Sequence, residues 1–451
     1  MKRVRIGNGC GFWGDNLDAP RELAEHGQLD YLTLEYLAEL TMSILALQKQ
    51  RHPEAGYASD FLDVLGQLTP ILQRQPRLKI ITNAGGMNPQ GCAVRARAVL
   101  DQAGLSQRRI AIIHGDDLLP RIDELLAQGH PFTNLDTGEP LTTIRDRLVS
   151  VNAYLGCQPI VRALQQGADV VLTGRVADAS LTLGPAVYEF GWSADDWDRL
   201  AAGIVAGHLI ECGAQATGGL WCNWQETDLA LVGYPFADIE ASGEFTITKL
   251  AGSGGAVNRE TVAEQLLYEV GDPAAYLTPD VVADFTSVQL TETGPDQVRV
   301  TGARGKPATG SYKVSIAYRD GWTASGTLVL AGPEAVKKAR RCGEIIFERL
   351  RRRGVVPQYR NVECLGAGDC VPGVSPETDP PEVVLRVAVR DVNRAVVERF
   401  TKELAPLVTS GPPGVSGYTT GRPPVREVFA YWPALVDKNA VVPRVETIGD
   451  Y

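Results

Sequence analysis

The stretch ADVVLTGRVADASLTLG, residues 168–184, reads as a buried strand, a Thr173-Gly174 turn and the start of a helix. Residues 169–173 form a short apolar run bounded by turn signals, as a strand covered on both faces requires. Arg175, Asp178 and Ser180 then stand at the helix entry. Similar runs occur upstream at 4–7, 31–35, 78–82 and 109–113, most of them followed by Gly or Asn. Helical patterns lie between them at 61–73, 91–103 and 159–166. Strand–helix–strand order at this spacing predicts βαβ units: an α/β domain over residues 1–230 with an open, mostly parallel three-layer sheet.

The texture changes after residue 230. Residues 238–248 alternate like a hairpin around Ser242-Gly243, and strands are expected at 281–290, 297–302, 312–318 and 322–330, the last two joined at Asp320-Gly321. Helices are expected at 258–270, 333–353 and 392–405, with a strand at 382–389. Hairpins with a few helices predict an α+β domain over 231–451. Residues 366–381 and 409–424 are Gly- and Pro-rich loops, of a length that is often functional.

The 451 residues exceed one ordinary core, and 44% of them are hydrophobic. A formal charge of −10 disfavours nucleic acid and anionic membranes as partners, because the general field repels both. Lys2, Arg3 and Arg5 lead into Gly7, Asn8 and Gly9 rather than a signal peptide, and no apolar run suits a membrane helix. The eight cysteines form no CxxC pair and read as reduced thiols. A cytoplasmic location is therefore expected.

In open α/β sheets ligands bind beyond the carboxyl ends of strands. Arg175 would offer a bidentate fork to a carboxylate or phosphate, and a desolvated Asp178 would serve as acid or base. Glu35, Asn83, His114 and Asp116 stand at the ends of neighbouring strands. Each alone is a common turn or cap residue; together they predict one cleft. In it Asp178, Glu35, His114 and Asp116 would move protons, and Arg175, Asn83 and Ser180 would hold the ligand. A second anion site is expected where Lys249 precedes the glycines of residues 252–255, Gly254 and Gly255 freeing backbone N–H groups to form a cradle. A plain turn is the alternative there.

Other patterns are weaker. GNGCGFWGD contains a GxGxxG match at Gly9, Gly11 and Gly14, but Phe12 and Trp13 interrupt it. The following helix is expected to start only near Asp18, so no dinucleotide binding is expected. His208 and Glu211 share a helix face but lack a second ligand pair, so a satisfied structural histidine is preferred to a metal site. The basic helix at 333–353 reads as a solvated face, with coenzyme A phosphates or an acidic partner as the sharper alternative. GxSxG, HExxH and CxxC patterns are absent.

VRIGNGCGFWGD, LDYLTLEYLAELTM, ITNAGGMNP, NLDTGEPL, GADVVLTGRVADASLTLGP, GHLIECGAQATGG and EQLLYEVGDPAAYLTPDVVADF occur in this order across nearly the whole chain. Together they resemble the acyclic terpene utilisation (AtuA-type) family. The resemblance implies a setting in the breakdown of acyclic terpenes or branched acids, and carries over no catalytic residues. Some members have a further small C-terminal domain, so a small second subunit is an expected partner, beside a homo-oligomer. The function expected is acid–base chemistry of the hydratase or lyase type on a small branched carboxylate or its coenzyme A thioester, with no cofactor singled out. The alternative is a non-catalytic subunit that binds an acyl ligand or supports a partner enzyme.

Overall fold

A computed structural model describes residues 2–374, 380–417 and 421–448. The chain forms two compact units, Met1–Ala317 with Tyr431–Tyr451, and Tyr318–Ala430. The first begins with β1 (Arg3–Asn8), α1 (Ala19–His26), β2 (Tyr31–Leu34), α2 (Glu39–Arg51), α3 (Asp60–Arg74), β3 (Lys79–Thr82), α4 (Pro89–Gln102) and β4 (Ile110–His114). It continues through α5 (Ile122–Ala127), β5 (Leu148–Ala153), α6 (Gln158–Gln165), β6 (Val170–Thr173), α7 (Ser180–Phe190) and α8 (Trp197–Glu211). After these come β7 (Pro235–Glu240), β8 (Phe245–Lys249), α9 (Arg259–Leu267), β9 (Tyr276–Leu277), β10 (Val282–Asp284), β11 (Gln289–Gly294), β12 (Gln297–Thr301) and β13 (Arg304–Lys306). The chain enters the second unit within β14 (Ser311–Ala331) and adds α10 (Ala335–Arg352), β15 (Tyr359–Leu365), β16 (Glu382–Asp391), α11 (Arg394–Phe400), α12 (Leu407–Ser410) and β17 (Val415–Gly417). It returns within β18 (Arg426–Asp437) and reaches β19 (Arg444–Ile448).

The main sheet has ten strands in the order β11-β12-β8-β7-β1-β2-β3-β6-β4-β19. The five apolar runs expected as strands are its consecutive parallel members, β1, β2, β3, β6 and β4. Short strands such as β2 and β6 are buried along their whole length, which is why they carry no polar alternation. The sheet as a whole is mixed rather than mostly parallel. β7, β8, β12 and β11 extend it antiparallel beyond β1, and β19 pairs antiparallel with β4. β7 and β8, assigned by sequence to a second domain, thus belong to the first sheet: β7 pairs with β1 from Arg3–Glu240 to Gly7–Phe236.

In the second unit β16 lies between β15 and β14, both antiparallel to it. The turn expected at Asp320-Gly321 does not form. β14 runs unbroken for 21 residues because residues 322–331 pair with β16, far along the chain, instead of folding back on residues 312–318. Gly321 takes φ +89°, a left-handed value that suits glycine in a continuing strand. Along β16 buried and more exposed residues alternate, and its buried face packs with Ala335, Ala339, Cys342, Ile346 and Leu350 of α10 in one core. The basic face of α10 is largely paired: Arg340 with Asp369, Arg341 with Glu344, Arg352 with Glu348. Residues 375–379 and 418–420 of the two expected loops lie outside the described residues. No helix among the described residues is long and apolar enough to cross a membrane.

Candidate active site

Parallel strands end on the same sheet edge, and the ends of β1, β2 and β6 deliver their following residues to one cavity of about 900 Å³ in the first unit. Arg175, two residues beyond β6, is 2% exposed. Its Nη1 lies 2.9 Å from Asp178 Oδ1, out of line for a hydrogen bond, and 4.0 Å from Glu35 Oε1. Nη1 also donates to the Leu37 carbonyl at 3.2 Å, and the guanidinium sits 4.2 Å from the Tyr154 ring centre. Lys313 lies 4.8 Å from the same ring, so one aromatic face system carries two cations of the cavity wall. The Tyr154 hydroxyl donates to Glu39 Oε1 at 2.5 Å. Burial pushes the Glu39 carboxyl up, but this bond and the charge of Arg175 outweigh it and leave Glu39 below its ordinary value.

Glu35 is buried at 4% exposure and lines the cavity. Its Oε1 accepts from the Leu37 amide at 2.8 Å and from the Asn83 amide group, while Oε2 has no partner. Burial, reinforced by the charge of Asp178 and opposed by Arg175, holds the Glu35 carboxyl well above the usual range. Asp178 is raised as well, again by burial, against the pull of Arg175. Its side chain keeps 34% exposure and lines the cavity. Six of the thirteen buried side-chain polar atoms without a hydrogen-bond partner among the described residues belong to residues lining this cavity: Glu35, Arg175, Asp178, His208, Glu211 and Gln215. Orphaned buried polar groups are rare in native folds, so their clustering singles out this cavity as the candidate site.

The other expected site residues have different tasks. Asn83 does not line the cavity; its amide holds Glu35 and its Oδ1 accepts from the Tyr36 amide at 2.8 Å. Asp116 faces the backbone: Oδ2 accepts from Arg175 N and from Asn152 Nδ2, both at 2.9 Å. It shapes the turn that presents Arg175, and burial pushes its carboxyl up to about 6. His114 is removed from the cleft because β19 covers that edge, and Nε2 pairs with Glu446 at 2.8 Å. Ser180 donates to Asp280 Oδ2 at 2.9 Å, so its hydroxyl is engaged in holding α7 to the 280 turn.

The anion cradle at Lys249 is overturned. Lys249 Nζ pairs with Asp296 at 3.1 Å and donates to the Ser253 carbonyl at 2.8 Å. The Gly254 amide donates to Leu231 O at 2.6 Å, so the loop bonds inward. A Cβ on Gly254 would lie 2.1 Å from Asp228 O, and one on Gly255 2.2 Å from Thr217 O. These glycines serve close backbone packing. Gly254→Ala is expected to destabilise the fold by about 1–3 kcal/mol, the usual range for overpacking, as read from chemical unfolding.

In the N-terminal glycine loop α1 starts at Ala19 with Pro20 in its first turn, beyond all three glycines. A Cβ on Gly11 would meet the Cys212 backbone at 2.7 Å, so this loop packs on the end of α8. Sequence reasoning underrated His208 and Glu211, both of which line the cavity; their i, i+3 spacing was the available signal. No third side chain completes a metal-binding group with them among the described residues.

The family model for the acyclic terpene utilisation family protein AtuA matches residues 4–447. No curated protein sequence matches the chain. A solved structure from Burkholderia cenocepacia, provisionally described as an amidohydrolase/peptidase, is 20% identical over 25% of this chain and 29% of its own, with a TM-score of 0.17. This chain thus spans under a third of that structure, and a likeness so slight carries no argument.

Proposed function

This chain belongs to the acyclic terpene utilisation AtuA family, and from that premise we propose that it is a catabolic enzyme working by acid–base chemistry of the hydratase or lyase type on a small branched carboxylate or its coenzyme A thioester. The observation that carries the reading is the meeting of the Arg175 cation with two raised carboxyls, Glu35 and Asp178, on one cavity. Addition or elimination of water needs one group to take a proton from carbon and another to give one to the departing oxygen. Two carboxyls in unlike surroundings suit such a division. Glu35, the more deeply buried, is the proton donor. Asp178, beside Arg175 and just ahead of α7, is the better base, since a helix N-terminus favours its charge. Arg175 and Lys313 hold the ligand's carboxylate or thioester oxygen.

A ligand-binding subunit without turnover is the second reading, favoured by the 2.9 Å approach of Arg175 to Asp178, which sets the cation against the candidate base. A thermal-shift series with 3-methylbutanoate and its coenzyme A thioester tests both. Binding to the folded state should raise Tm, by the equivalent of about 2.7 kcal/mol at a hundredfold excess over Kd. Arg175→Lys, which keeps the charge but loses the fork, should shrink the shift. Asp178→Asn should leave the shift in place and slow turnover if the protein is an enzyme. No shift with any branched acid or ester would overturn the reading.

A further inference from the structure

The last turn of α8 brings a second titratable pair to the same cavity. His208 Nδ1 and Glu211 Oε1 lie 3.0 Å apart, and both residues line the cavity wall. The His208 ring is 1% exposed and fixed between Tyr276 and Phe285, at centroid distances of 5.5 and 5.4 Å. Its backbone carbonyl accepts from Gln265 Nε2 at 3.1 Å. The end of α8 is held separately: Asn8 Nδ2, at the end of β1, donates to the carbonyls of Ile210 and Glu211 at 2.8 and 3.0 Å. Two elements therefore fix this turn, yet His208 Nε2 and Glu211 Oε2 are left without partners. A packed histidine with a purely structural role would be expected to have both nitrogens satisfied.

We propose that Glu211 is a proton-exchanging group of this cavity, in addition to Asp178, and that His208 is its positioning residue. The inference rests on the reading of the cavity as a ligand site. Glu211 ends a helix, where the dipole favours the protonated carboxyl, whereas Asp178 precedes one. Burial pushes Glu211 up to about 7, against the bond to His208. Burial lowers His208, but the bond to Glu211 and its charge, together with the backbone of Gln265 and Leu266, more than offset it, and the imidazole ends above its ordinary value. The titratable groups acting on the pair are Asp178, Glu269, Cys212 and Tyr276. In the exchange Glu211 gives its proton to a basic atom of the ligand and returns to the carboxylate, which the imidazole N–H then steadies.

Histidine side-chain NMR of the full chain tests this without a substrate. The chain has five histidines, so loss of one signal in His208→Gln assigns the resonance. His208 is expected to titrate above the ordinary imidazole value, and Glu211→Gln to lower its midpoint by about one unit or more, a tenfold change, because a facing negative charge is removed. If Glu211→Gln does not fold, Glu211→Asp, which draws the carboxyl back, should move the midpoint in the same direction by less. A His208 curve that the variant leaves unmoved, or a His208 that never titrates, overturns the proposal. Calorimetry with 3-methylbutanoate in two buffers of different ionisation heat supplies the ligand arm. Wild type should change its bound protons on binding near pH 7, and Glu211→Gln should bind without that change; equal proton change in both overturns the proposal. If wild type binds no 3-methylbutanoate, the proposed function fails, while the pair still stands or falls on its titration.

Discussion

Arg175→Ala is expected to destabilise the first unit by about 3–5 kcal/mol, the usual result of removing one partner of a buried ion pair. The reason is what remains rather than what is lost. Glu35 and Asp178 already have carboxyls raised by burial, and Arg175 is the principal cation opposing that rise in each. Without it only Lys313 opposes Asp178, no such cation acts on Glu35, and the Leu37 carbonyl loses its donor. Chemical unfolding at neutral pH reads the effect. Adding Asp178→Asn to Arg175→Ala should recover part of the loss, because the uncompensated charge goes with it. Acidification should also lessen the loss, since protonated carboxyls need no counter-charge. A variant as stable as wild type at neutral pH would mean that Arg175 serves the ligand alone. Loss of stability and loss of binding are therefore measured separately, and Arg175→Lys is the gentler probe of binding.

Asp116→Asn is expected to go the other way. The folded-state carboxyl is raised from 3.8 to about 6, a difference of about 2 pH units, and therefore retains its proton longer than in the unfolded chain. The stability tied to this group is fully present below about pH 4 and is lost as pH rises through about 6, to the extent of about 3 kcal/mol. Both hydrogen bonds that Asp116 accepts fall on Oδ2, so an asparagine oxygen can keep them while its NH₂ stands where the acid would carry its proton. Stability should thus be little changed at pH 4 and should exceed wild type by up to about 3 kcal/mol at pH 7.5. Unfolding midpoints of the two proteins across that range supply the measurement. Parallel pH curves would show that Asp116 contributes no such linkage.

The difference between Asp116 and Asp178 shows where sequence reading stops. Both are acids close to the end of a parallel strand, and both were expected to move protons. Direction separates them: Asp116 turns onto the Arg175 amide, whereas Asp178 opens onto the cavity. Strand order adds another distinction. His114 ends β4, which lies at the border of the parallel stretch and is covered by β19, a partner from the far end of the chain. Lys249 illustrates a third kind of miss. A glycine-rich turn after a strand can expose its amides or spend them, and here the approach of Leu231 and Asp228 decided that they are spent.

The order of residues alone determined the five parallel strands, the helices α1, α3, α4 and α6 between them, and the arrival of Arg175, Asp178 and Glu35 at one sheet edge. Those features follow from local apolar periodicity and from the rule that parallel strands point the same way. Tertiary structure decided the antiparallel extensions of the sheet, the continuous β14, the inward bonding of the Lys249 loop, and the entry of His208 and Glu211 into the cavity wall. Each of these depends on contacts between residues far apart in the chain, Arg3 with Glu240 or Asn8 with Glu211, and local patterning carries no signal for which distant backbone groups will meet.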